Sequence, residues 1–161
     1  MKKIIISLAL SFFVVVGSYS QNIDKFITEL SQEQGADNVK VDGFLLSLAK
    51  PFISTKVSDK ETLAICNGIK SIQVIDVSNS DETVRSNYAS KLNQIQDMDG
   101  YETLIRVKEK GEDVRIMMKC KKDKIKELYI LSIDENDISA VKLTGSIKKK
   151  DIEKLTAKYN N

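Results

Sequence analysis

The chain has 161 residues, 42% of them apolar, with one proline, no tryptophan and no histidine, and a formal net charge of +2. The lack of histidine excludes Ser-His-Asp and Cys-His catalysis, imidazole general-base work and most catalytic zinc sites. The basic excess equals the two lysines of the N-terminal segment, Lys2 and Lys3; without them the chain is neutral. It then lacks the net charge that phosphate neutralisation requires, so no nucleic-acid partner is expected.

Lys2 and Lys3 precede an unbroken apolar run from Ile4 to Val16, and Ser18-Tyr19-Ser20 follows as a small-x-small cleavage site. This is the pattern of a secretory signal peptide, with a run too short for the roughly 20 residues that span a bilayer. Residues 1–20 are therefore expected to be removed, leaving 21–161 as a single exported domain, in the periplasm or secreted. Contact with the membrane is then only transient, through the signal peptide. No cysteine near the cleavage site invites lipidation.

The first helix is predicted near 22–33, where Ile23, Phe26, Ile27 and Leu30 follow helical spacing and Gly35 acts as a stop. Val39 and Val41 indicate a short strand, and Phe44 to Lys50 a short apolar helix ending before Pro51. Ser58-Asp59-Lys60-Glu61 has the capping-box pattern, and Asn67-Gly68 is suited to close that helix in a left-handed conformation. Residues 71–77, SIQVIDV, read as a buried strand. Ser80 is expected to cap a longer helix whose inner stripe is Val84, Tyr88, Leu92 and Ile95.

From Tyr101 the hydrophobic period changes to two. YETLIRVKE, VRIMMKC, IKELYILSI and SAVKLTGSI are four candidate strands separated by short polar turns, an antiparallel meander. A last helix carries Ile152, Leu155 and Tyr159. The class is α+β, with a C-terminal four-stranded antiparallel meander and helices packed on one face.

Turn chemistry sets the expected register. A Gly111-Glu112 turn pairs Val107 with Ile116 and Ile105 with Met118. At KCKKDKIK (119–126), a two-residue loop would set Leu128 and Ile130 opposite to Ile116 and Met118, so a three-residue loop, Lys121-Lys122-Asp123, is expected. The loop Asp134 to Asp137 then brings Val141 and Leu143 to the same, core-facing side. On the other side Lys108, Arg115, Tyr129 and Lys142 form a row, with Leu104, Met117 and Leu131 close by. Opposed like charges are unfavourable on a sheet, so the row is a candidate site for an anionic ligand or protein partner, with Tyr129 as a stacking surface for Arg115 or Lys142. The ordinary alternative is a solvated face whose long basic side chains cover apolar neighbours.

Three stretches taken in order, FITELSQEQGADNVKVDGFLLSLA, YETLIRVKEKGEDVRIMMKCKKDKIKELYIL and LTGSIKKKDIEKL, resemble domain-of-unknown-function family 4252, exported proteins of the Bacteroidota. The resemblance covers nearly all of 21–161. It implies an envelope protein with no assigned activity and no catalytic residues to carry over. Many such relatives look like lipoproteins, and some are encoded beside extracytoplasmic-function sigma factors; this chain departs from the lipoprotein pattern.

Asp97, Asp99 and Glu102 around Gly100 faintly match a calcium loop but supply too few oxygen ligands, so a polar turn is expected and no metal or other cofactor. Cys66 and Cys120, alone in an oxidising compartment, are open to a disulfide; small buried hydrophobes are the other reading. The leading expectation is a non-enzymatic binding module of the envelope. The alternative is a thiol-redox or disulfide-stapled regulatory protein of the envelope stress response.

Overall fold

Asn22 opens the first helix by accepting the Asp24 amide on its side chain at 2.7 Å, and the stripe Ile23, Phe26, Ile27 and Leu30 is buried along α1 (Ile23–Ser31). The computed structural model describes residues 22–56, 59–97, 100–109 and 111–159. The expectations for the signal peptide, Ser58 and Asp99, and for the side chains of Leu155 and Tyr159, lie outside the described residues.

The remaining elements are β1 (Asp37–Val41), α2 (Gly43–Lys56), α3 (Lys60–Gly68), β2 (Ile69–Val77), α4 (Glu82–Gln94), β3 (Tyr101–Glu109), β4 (Glu112–Lys121), β5 (Lys124–Ile133), β6 (Ile138–Lys148) and α5 (Lys149–Tyr159). Helix α2 runs through Pro51 instead of ending before it. Asp59 caps α3, and Asp81, not Ser80, caps α4, each accepting an amide three residues on at 2.9 Å. A carboxylate at the N-cap also complements the helix dipole.

The protein is α+β with one antiparallel sheet, but the sheet has six strands in the order β1-β2-β6-β5-β4-β3, not four. The C-terminal meander is there; β2 and β1 extend it beyond β6, with Val74 opposite Val141 and Val39 opposite Val74. Helices also cover both faces instead of one. On the first face, α1 and α4 pack over Ile75, Val77, Met117, Tyr129, Leu131, Ile133, Ile138 and Ala140. On the second, Ile65 of α3 and Ile152 of α5 pack on Met118, Ile125, Ile147 and Leu128. The physical reason is that β5 is apolar on both of its faces, so neither can be left to water.

The register corrects two turns and keeps their consequence. Glu109 pairs with Glu112, so Val107 faces Val114 and Ile105 faces Ile116. The slip is even, and Ile105, Val107 and Ile116 still share a side. At the lysine-rich tip Lys121 pairs with Lys124, a two-residue loop with Lys122 at φ 58°, not a three-residue one. Cys120 then pairs with Ile125 but Lys119 with Glu127, leaving Lys126 as an extra, unpaired residue. This bulge returns Leu128 and Ile130 to the side of Ile116 and Met118. The core requirement was the deciding constraint, and a bulge meets it where a longer loop was expected.

Gly68 ends α3 without a left-handed conformation. Its use is proximity: a Cβ on Gly145 of β6 would overlap the Gly68 carbonyl oxygen, so two glycines let the helix end and the strand meet backbone to backbone.

Candidate binding groove and the buried polar cluster

The row expected on a solvent-exposed face is instead on the helix-covered first face. Tyr129 is fully buried and Arg115 is 4% exposed. Arg115 donates to the carbonyls of Leu92 and Ile95 at 3.0 and 2.7 Å and to Thr103 Oγ1 at 2.8 Å, closing the C-terminal end of α4. Burial and the neighbouring Arg106 pull its pKa below the ordinary value. Lys108 lies opposite Asp113, not Arg115, with its Nζ 3.6 Å from that carboxylate; the residue opposite Arg115 is Arg106. The amphipathic pattern misled because Arg115 and Tyr129 find their hydrogen-bond partners inside the protein.

Tyr129 and Lys142 do come together. Lys142 Nζ lies 5.1 Å from the centre of the Tyr129 ring and 3.0 Å from Asp24 Oδ1. The Tyr129 hydroxyl lies 2.7 Å from Asp24 Oδ1 and 2.6 Å from Glu127 Oε2, its single proton shared between the two carboxylates, and the Tyr101 hydroxyl lies 3.0 and 3.1 Å from the same two. Burial pushes the Tyr129 phenol far above its usual range, and its bonds to Glu127 and Asp24 add to this. Asp24, which no sequence signal marked, is the hinge of the cluster: it fastens the first turn of α1 to β3, β5 and β6. Two phenols held protonated and the two carboxylates bonded to them make a structural lock.

Both cysteines are free. Cys120 packs in the smaller core cluster, its sulfur 3.7 Å from Met118 Sδ, and burial pushes its thiol up, away from the reactive thiolate. Asp97 accepts from the Thr103 amide and hydroxyl, while Glu102 pairs with Lys149 at 3.3 Å, so the acids of the 97–102 turn serve different partners. Among the described residues no set of three or more His, Cys, Asp or Glu is placed to hold a metal ion, and no helix is long and apolar enough to cross a membrane.

An apolar concavity lies on the second face. A groove of about 510 Å³ lies there between α5 and strands β3, β4 and β5. Its floor is Leu104 and Ile105 of β3, Ile116 of β4, and Leu128 and Ile130 of β5; its wall is Ile152, Glu153 and Ala157 of α5. Leu104, Ile105 and Val107 are 40–44% exposed along the edge strand. A contiguous apolar surface of this kind is uncommon unless something covers it, and the volume falls within the roughly 300–1,000 Å³ of small-molecule sites. Strand alternation placed Ile105, Ile116, Leu128 and Ile130 on one face but Leu104 on the other, beside the Lys108 row; the irregularity between Thr103 and Ile105 brings Leu104 to the groove instead. That α5 leaves these side chains uncovered was beyond sequence reasoning.

A family model described as Domain of unknown function (DUF4252) matches residues 29–155, from the end of α1 into α5, and so spans every strand and all of the described groove lining but Ala157. No curated protein matches the chain.

Proposed function

The chain belongs to the DUF4252 family, and from that premise we propose that it is an exported, non-enzymatic binding protein that takes an apolar ligand into the groove between α5 and strands β3, β4 and β5. The observation that carries this reading is the lining: of the eight described residues around the groove, Glu153 alone is polar. Half-exposed Leu104 and Ile105 cost about 25 cal/mol for each Å² of apolar surface left in water, and an apolar molecule bound in the groove recovers part of this. Thiol-redox chemistry is the weaker reading, because the Cys120 thiol is raised in pKa and packed against Met118.

The test is titration with the neutral dye Nile red against the protein and Ile105→Asp. Ile105 is 44% exposed, so the substitution is expected to leave the fold intact. The wild type should give saturable, blue-shifted emission, and the variant should bind at least tenfold more weakly with an unchanged circular dichroism spectrum. Equal binding by the two proteins would remove the groove from the function.

A further inference from the structure

The geometry points to a single-chain amphiphile with a cationic head, of the primary-amine class, as the occupant of the groove. Its apolar chain lies on the strand floor and its ammonium beside Glu153 of α5. This deepens the groove reading and rests on it. The floor offers a head group nothing polar, since the side chains of Leu104, Ile105, Ile116, Leu128 and Ile130 are all aliphatic. The α5 wall offers one polar side chain, Glu153, between Ile152 and Ala157. A head group that enters with an apolar chain is therefore matched against a single carboxylate.

The pairing around it leaves that carboxylate over. Lys149, one turn earlier on α5, donates to Glu102 of the edge strand β3 at 3.3 Å. Glu153 has no hydrogen bond or ion pair among the described residues, and none of the described lining residues is cationic. Lys149, Glu102 and Glu153 together thus leave one negative charge beside the groove. Glu153 is exposed, so water serves it while the groove is empty. An apolar chain laid alongside displaces part of that water, and a charge stripped of solvent without a partner is unfavourable. An ammonium supplies the partner. A hydroxyl answers the carboxylate only with a dipole, and an anionic head adds like-charge repulsion.

The experiment is displacement of Nile red from the protein by decylamine, 1-decanol and decanoate, which share one chain and differ in head group. Glu153→Gln and Glu153→Lys are the companion variants. Decylamine should displace the dye about fivefold or more better than decanol, the upper range for a partly exposed ion pair, and decanoate should be the weakest. Added salt and Glu153→Gln should both shrink the gap between amine and alcohol. Glu153→Lys should reverse the order, with decanoate ahead of decylamine. Because Glu153 is exposed, both variants are expected to keep the wild-type circular dichroism spectrum. If decanol or decanoate matches decylamine on the wild type, or if Glu153→Gln leaves the gap unchanged, the amine assignment falls and the groove reading stands. If the dye itself fails to bind, both fall. A dimer that forms as dye binding is lost would give the groove to a second copy and overturn the inference.

Discussion

Arg115 illustrates how one side chain can be misread from its neighbours in sequence. It lies in a strand between residues that alternate apolar and polar, which made it look solvent-facing, yet its guanidinium satisfies two carbonyls at the end of α4. Replacing it with methionine keeps the bulk and strands those carbonyls, each worth about 1–3 kcal/mol when buried and unmet. Arg115→Met is therefore expected to lose on the order of 2–4 kcal/mol, read as a lower urea midpoint; an unchanged midpoint would show that water replaces the guanidinium. Asp24 gives the pH counterpart. Burial alone would raise its carboxyl, but hydrogen bonds from Tyr129, Lys142 and Tyr101 more than offset this and hold it below its ordinary 3.8. A depressed carboxyl contributes stability above its unfolded value and loses it as pH falls through the folded one. Asp24→Asn should accordingly be less stable at neutral pH and should lose less than the wild type between pH 4 and pH 2. Parallel acid limbs in the two unfolding profiles would refute the lock assigned to Asp24.

At the scale of elements, the contacts that matter are close approaches and parity. The Gly68–Gly145 crossing joins the end of α3 to β6, and what a Cβ on Gly145 would strike is backbone, which has no rotamer in which to yield. Gly145→Ala should cost at least the roughly 1–3 kcal/mol of ordinary overpacking, and the measured unfolding temperature should fall. A neutral Gly145→Ala would mean that the helix end shifts freely, and α3 would then not be fixed by this contact. The bulge at Lys126 belongs to the same scale. A tight two-residue hairpin alone would have turned Leu128 and Ile130 toward α1 and α4, and the extra residue turns them back.

For the whole molecule, the sheet is a wall between two unequal cores. The first face is sealed by α1 and α4, and the second is only partly covered, which leaves the groove. The proposed apolar ligand would fill this trough, which the fold leaves open to water. N-terminal sequencing of the protein from its native host is expected to begin at Gln21. Recovery of the chain with residues 1–20 attached and embedded in membrane would sink the export reading.

Local rules decided what could be decided locally. The α1 stripe, the α4 stripe from Tyr88 to Ile95 and the C-terminal strand run were all legible, because helix and strand periodicities act over a few residues. Parity across the lysine-rich tip was legible too, since one slipped residue reverses every side chain after it. The same alternation could not say which side of β5 holds the larger core, because both sides are apolar. That choice came from α1 and α4, whose Phe26 and Tyr88 close over Tyr129 and whose Asp24 and terminal carbonyls satisfy the polar groups beneath them. The pairing of β2 with β6 and the open trough beside α5 are likewise long-range facts. Only the packing of segments distant in sequence sets them, because burial energy depends on what covers a residue and not on the residues beside it in the chain.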